Sequence, residues 1–310
     1  MTKAFKETMR SLRASPFFAF YALIALGLAG FIGLMFGQMA LRLDFFLPGL
    51  FGQMAHGTVE SHRVHDFAFG LLVTTGVLGM LAQLRRPSKN VAAMIMALIP
   101  FAGLLLAAVL SGGGAVETAD IAWQRNPLYL FAAVAAVAAL LHPAGRDFFR
   151  SFTLSRVNWV MLALVAIAAV PLLGFASTNI RLQETALDDH VQLTHYAFMA
   201  ALAFTVIGVG LVASLRPDGW RLTTWVAGLL PAVLGVWSLL FPDVSSSLGL
   251  GWALAAIAWG AVFVAAAERT KDVDSPTLLG SRGDLSRKGS RPSRGALTRS
   301  GTGRNHGTSS

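Results

Sequence analysis

Cysteine is absent from this chain of 310 residues. Disulfide bonds, thiolate metal sites and cysteine nucleophiles are therefore excluded. Charged residues are also scarce, at 13% of the chain, whereas soluble domains carry roughly 25%. The shortage of charge indicates a chain that is surrounded by lipid rather than by water.

Several functional classes lack their sequence signatures. The chain has no P-loop, no H-E-x-x-H motif and no G-x-S-x-G motif, which are the usual signals of nucleotide binding, zinc proteolysis and serine hydrolysis. No lysine lies inside an apolar run, which excludes a retinal Schiff base. No acidic residue lies in the middle of a run, which argues against a typical ion-coupled transporter.

Long apolar runs make up most of the chain. A bilayer core needs about 20 apolar residues per helix, and backbone polar groups in lipid must be satisfied within each segment, so each run predicts a membrane-spanning helix. The sequence therefore predicts an all-α integral membrane protein with eight spans. These predicted spans are 17–40, 67–84, 91–110, 127–142, 159–177, 195–215, 222–241 and 248–267.

The distribution of lysine and arginine among the loops is an independent test of the span count. With the N-terminus in the cytoplasm, 21 of the 25 basic residues fall in inner segments. This asymmetry obeys the positive-inside rule, so we expect both termini on the cytoplasmic side of a bacterial-type plasma membrane. The four basic residues on the outer side are Arg42, Arg63, Arg125 and Arg181.

Five segments follow from this topology. A cytoplasmic N-terminal segment, 1–16, precedes a first four-helix half, 17–142. A cytoplasmic linker, 143–158, leads to a second four-helix half, 159–267. Residues 268–310 are rich in Ser, Gly and Arg, so we expect a disordered basic tail. Its charge favours anionic lipids of the inner leaflet, and it contains no folded nucleic-acid-binding motif.

The two halves resemble each other at an offset of about 130 residues. Because four spans is an even number, both copies would run in the same direction, as a 4+4 parallel repeat about an axis along the membrane normal. Coincidence is the alternative, since Arg-Pro at a helix end and proline within a span are common. The recurring pairs are His65 with His195, Arg86-Pro87 with Arg216-Pro217, and Pro100 with Pro231.

Five of the seven histidines fall on the predicted outer side, beside the second or the sixth span. Neutral imidazole is the commonest metal ligand in proteins, and it also binds heme iron. We predict that His62, His65 and His195 bind a cofactor, which is heme or a copper or iron ion. His56 and His190 are further candidates as metal ligands.

Four acidic residues accompany these histidines in the same loops, namely Glu60, Asp66, Asp188 and Asp189. They are expected to support the site by pairing with imidazole. Two other interpretations stay open, because the same pairs would serve as ordinary interfacial ion pairs or would handle protons or substrate. On a regular helix His62 and His65 would share a face, whereas His190 and His195, five residues apart, would not.

One stretch resembles heme A synthases. Glu60-Ser61-His62-Arg63, followed by Gly70-Leu71-Leu72-Val73, is similar to the start of the second span of that family. The resemblance implies eight spans in a 4+4 repeat, with heme-ligating histidines near the outer face and His62 as the matching ligand. It does not imply heme A synthesis, since the only histidine of the fourth span, His142, is at its inner end, and the eighth has none.

The sequence thus favours a heme-binding or metal-binding membrane protein with a respiratory or cofactor-assembly partner. A cofactor-free transporter or permease is one alternative, supported by the two-half organisation. A non-catalytic assembly or sensory protein, acting through its tail or its outer loops, is the other. The sequence does not determine the substrate, the reaction or the oligomeric state.

Overall fold

The structure, a computed structural model, describes residues 62–84, 89–112 and 151–270, together with a few single residues elsewhere. These ranges contain no strand, and a short 3₁₀ turn, Leu154–Arg156, precedes the third helix. The helices are α1 (Arg63–Ala82), α2 (Val91–Leu110), α3 (Trp159–Thr185), α4 (Asp189–Gln192), α5 (His195–Leu215), α6 (Trp220–Leu240) and α7 (Leu250–Thr270).

All of these helices except the four-residue α4 are long and apolar enough to cross a membrane. The described part of the protein is therefore an all-helical bundle of the membrane-protein type, and its six long helices match six of the predicted spans. The other two, 17–40 and 127–142, lie outside the described residues apart from single positions, as does the tail from residue 271. The eight-span count and the repeat stay predictions.

A helix extends past its apolar run where polar side chains beyond the run form hydrogen bonds. Helix α3 continues to Thr185 instead of ending at 177, and Asn179 and Gln183 in this extension bond to neighbouring groups. Proline does not interrupt the helices, since Pro100, Pro171 and Pro231 all lie inside continuous helices.

Helix α5 forms the centre of the bundle. Fifteen of its 21 residues are buried, and it packs against α1, α2, α3 and α6. Helices α3 and α7 are peripheral, with only four buried residues each. Their exposed surface is apolar, as at Ile167 and Val170, which are 68% and 75% exposed. Such a surface is solvated by hydrocarbon rather than by water.

Glycine allows several of these helices to approach closely. A Cβ atom at Gly103 of α2 would lie 2.9 Å from the carbonyl oxygen of Ala201 in α5. A Cβ at Gly260 of α7 would overlap the carbonyl oxygen of Gly228 in α6. Small residues at helix contacts are the usual means of close packing in membranes, where no hydrophobic force draws helices together.

The bundle has two chemically different ends. At one end the backbone N–H of Ala92 donates to Asp218 O at 2.9 Å, and that of Asn158 donates to Ser214 O at 2.8 Å. At the other end the starts of α1 and α5 meet the ends of α3 and α6. We call this second end the histidine end, because four histidines lie there.

We expect Gly260→Ala to destabilise the bundle, because the added methyl group meets the backbone of α6. Overpacking of this kind costs about 1–3 kcal/mol, which should lower the midpoint of thermal unfolding in detergent. Gly251→Ala in the same helix is the matched control, since a Cβ there has nothing within 4 Å. Equal midpoints for the two variants would contradict the close α6–α7 contact.

Candidate metal centre

The local structure explains how four histidines reach one place. His62 directly precedes α1 and His65 lies in its first turn. His190 lies in α4, and His195 is the first residue of α5. Between these two helices Thr194 adopts the left-handed conformation, with φ 58° and ψ 25°. This break lets His190 and His195 converge, which a continuous helix would prevent.

Gln183, near the end of α3, holds α4 and α5 in this arrangement. Its side-chain nitrogen donates to Val191 O at 2.8 Å, just after His190. Its side-chain oxygen accepts a 3.2 Å hydrogen bond from the backbone N–H of Ala197, in the first turn of α5. One amide therefore positions both histidine-bearing segments.

The four imidazoles pack directly against one another. The ring of His62 lies 4.6 Å from that of His190 and 4.8 Å from that of His195, between centroids. The His65 ring lies 4.8 Å from His190 and stacks on His195 at 5.3 Å, with 12° between the planes. All four side chains are buried. Burial of so many polar rings is costly unless they are bonded.

Carboxylates supply part of that bonding. Asp189 Oδ2 lies 3.0 Å from His62 Nε2, and Asp66 Oδ1 lies 3.6 Å from His195 Nε2. Asp189 also contacts His190, with 3.3 Å between Oδ1 and Nδ1. Each of these three buried histidines therefore has one nitrogen directed at a carboxylate.

Asp188 completes the acidic side of the cluster. Its Oδ2 lies 3.4 Å from His190 Nδ1 and accepts a 2.7 Å hydrogen bond from the Tyr196 hydroxyl. Burial raises the pKa of this carboxyl, but the Tyr196 bond and the attraction of His190 outweigh it, so the pKa lies below its ordinary value. Asp188 is thus held in its anionic form.

His65 is held by a hydroxyl instead of a carboxylate. Its Nε2 lies 3.2 Å from Ser246 Oγ, and that hydroxyl donates to Asn179 Oδ1 at 2.7 Å. Ser246 lies in the loop after α6 with φ 63°, a conformation that non-glycine residues rarely adopt. Strained backbone of this kind is concentrated at functional sites.

These bonds determine where the imidazole protons lie. Because Ser246 has one hydroxyl proton and gives it to Asn179, its oxygen accepts the bond from His65 Nε2. Neutral His65 therefore carries its proton on Nε2 and its lone pair on Nδ1. The same holds for His62, whose Nε2 faces a carboxylate. Its Nδ1 is buried and has no hydrogen-bond partner among the described residues.

The structure thus brings together seven of the nine predicted site residues. The other two, His56 and Glu60, lie outside the described residues. Sequence reasoning missed the residues that position the cluster, although Asn179 and Gln183 stand out as polar residues just beyond an apolar run. The seven residues are His62, His65, Asp66, Asp188, Asp189, His190 and His195.

Three of the histidines have the spacing of a metal site. His62, His190 and His195 each offer one nitrogen, and these atoms lie within 4.8 Å of one another. A point equidistant from three atoms 4.8 Å apart is about 2.8 Å from each, which is 4.8 divided by √3. Zn–N bonds measure about 2.0–2.1 Å, so each imidazole would need to move by less than about 1 Å.

Comparison of the chain with protein-family models, with curated proteins and with solved structures finds no match. The resemblance to heme A synthases therefore stays a prediction.

We expect the neutral forms of His62 and His65 to carry their protons on Nε2. Long-range ¹H–¹⁵N spectra of protein with ¹⁵N-labelled histidine distinguish the two tautomers. In Asp189→Ala the His62 signal should shift toward a tautomer mixture, whereas His65, held by Ser246, should not change. An Nδ1–H signal for His65 in the unmodified protein would contradict the proposed hydrogen-bond direction.

Proposed function

We propose that this protein is a membrane metalloprotein in which His62, His190 and His195 bind one divalent transition-metal ion. The observation that carries the proposal is the convergence of three buried imidazoles whose ligand atoms lie within 4.8 Å of one another, with a carboxylate beside each ring. Carboxylate–histidine–metal arrangements are the usual way in which proteins orient metal ligands and raise their basicity.

Charge around the cluster favours a cation. Three carboxylates, those of Asp66, Asp188 and Asp189, lie against the imidazoles. The nearby Arg63 directs its guanidinium over the Phe241 ring, 5.2 Å from the centroid. A dication bound among the imidazoles would be attracted by these carboxylates.

The ring packing favours a bare ion over heme. Axial histidines of a heme face each other across a porphyrin, which is far wider than an imidazole. Here His65 and His195 stack at 5.3 Å, and the rings of His62 and His190 lie directly beside them. Nitrogen and oxygen donors without sulfur suit Zn²⁺, Cu²⁺ or Fe²⁺.

A second group with metal-like spacing is less suitable. Asp188, Asp189 and His190 also offer ligand atoms within 4.8 Å of one another. Both carboxylates are exposed, and each already bonds to a neighbouring side chain. We therefore assign them to orienting the histidines.

Three histidine ligands would leave a fourth position for water or substrate, which is the pattern of catalytic rather than structural zinc sites. The positive-inside distribution of the loops supports placing the histidine end on the outer side of the membrane. Under the proposed repeat His65 and His195 are equivalent residues, which is consistent with the stacking of their rings.

We expect the purified protein to contain about one metal ion per chain, measured by plasma mass spectrometry after growth with zinc, copper and iron. His195→Ala should remove most of this metal, because it deletes a ligand. Asp189→Ala should weaken the affinity about 10–100-fold, the usual effect of losing the partner of a ligand histidine.

His306→Ala is the matched control, since it removes a histidine of the C-terminal tail and should retain the metal. Cobalt substitution provides a second measurement, because tetrahedral Co²⁺ gives visible absorption bands that should disappear in His195→Ala. Protein that contains no metal under any of these growth conditions would contradict the proposal. The cluster would then be an imidazole–carboxylate network of the bundle itself.

A further inference from the structure

A deep groove lies between α3, α5, α6 and α7, beside the histidine cluster. Its volume is about 710 Å³, within the roughly 300–1,000 Å³ that is typical of small-molecule sites. Most of its walls are apolar side chains, such as Leu172, Leu202 and Trp259. Polar groups are concentrated at one end.

The sequence explains why the helices leave this space. Pro171 and Pro231 both line the groove from within α3 and α6, and a proline inside a helix removes a backbone hydrogen bond and bends the axis. Small residues line the same walls, including Gly174 and Ala255. A Cβ added at Gly174 would have nothing within 4 Å.

The groove opens between exposed apolar side chains, which suit contact with hydrocarbon. Ile167 and Trp252 line it and are 68% and 61% exposed. Ile24 and Ala139 lie against the cluster formed by α1 and α2. A lipid chain from the bilayer is therefore the natural occupant.

At the polar end of the groove, Asn179 and Ser246 can form hydrogen bonds with a ligand. Asn179 lines the groove and is only 1% exposed. One N–H of its amide donates to Phe175 O at 3.0 Å, and its oxygen accepts the Ser246 hydroxyl. The second N–H of Asn179 and the second lone pair of Ser246 Oγ remain for a ligand. Ser246 in turn bonds His65, whose ring packs against His190 and His195.

The groove is longer than one membrane leaflet. It follows α3 from Ile167 to Leu182, which is about 22 Å at 1.5 Å per residue. Half of a bilayer core is about 15 Å. A chain with its polar head at Asn179 would therefore reach to about the midplane of the membrane.

We propose that this groove binds the hydrocarbon chain of an amphipathic, lipid-like substrate, with its polar head bonded to Asn179 and Ser246 beside the metal centre. The assignment of the ligand as a substrate rests on the proposed metal function, whereas binding of the chain does not. His65 links the two places, because it contacts Ser246 on one side and the ligand histidines on the other.

A photoreactive analogue of hexadecanol, with a diazirine in its chain and an alkyne for detection, tests the groove in the full-length protein. Its hydroxyl head can accept a hydrogen bond from Asn179 and donate one to Ser246 Oγ. The protein is reconstituted in phosphatidylcholine nanodiscs, and labelled peptides are identified by mass spectrometry. Labelling should concentrate on groove residues of α3 and α7, and unlabelled hexadecanol should compete with it. Gly174→Trp should reduce it at least about fivefold, because the indole fills the space of the chain.

Leu173→Trp is the matched control, since Leu173 neighbours Gly174 but is 51% exposed outside the groove lining. If Gly174→Trp does not fold, Ala255→Trp on the facing helix replaces it. Ser246→Ala should weaken labelling by the hexadecanol analogue about fivefold, the effect of one lost hydrogen bond. It should leave labelling by the matching alkane, which has no head group, unchanged.

The outcomes distinguish the binding of a hydrocarbon chain in the groove from the binding of a metal ion by the histidines. Even labelling of all lipid-facing helices, or equal labelling of Gly174→Trp and Leu173→Trp, would overturn the groove as a binding site. Equal loss of hexadecanol and alkane labelling in Ser246→Ala would overturn the placement of the head. Metal-free protein with normal groove labelling would overturn the metal function and leave the chain-binding site intact.

Discussion

Close packing around α5 is the constraint on which the rest of the structure depends. Lipid offers no hydrophobic force between helices, so the bundle relies on surfaces that fit at short range. Alanine and glycine supply them, as at the contact of Gly103 with the backbone of α5. Because α2, α3 and α6 fix α5 in this way, its first residue, His195, is fixed relative to the start of α1, where His62 and His65 lie.

At the histidine end of this packed bundle, polar side chains form many hydrogen bonds with one another and with the backbone. Gln183 secures the short helix that carries His190, and the loop after α6 folds back so that Ser246 reaches His65. That loop is itself anchored, since the backbone N–H of Leu248 donates to Ser238 Oγ at 3.1 Å. The imidazoles are therefore held by several independent segments of the chain.

Much of this organisation could be predicted from the sequence. The helices match the apolar runs because length and hydropathy decide which segments enter lipid, and loop charge correctly grouped His62, His65, His190 and His195. The break at Thr194 could not be predicted, since a threonine in the left-handed region reflects tertiary contacts. The hydrogen bond between His65 and Ser246 could not be predicted either. A serine just beyond the end of a span does not indicate a functional role until its partner is known.

The connection between His65 and Ser246 joins positions 181 residues apart in the chain. His62 and Asp189 are 127 residues apart. During synthesis the first histidines emerge long before their partners, and the orienting hydroxyl arrives only with the loop before α7. The bond between His65 and Ser246 can therefore form only after the helices from α1 to α6 have been synthesised, which links completion of the cluster to assembly of most of the described bundle.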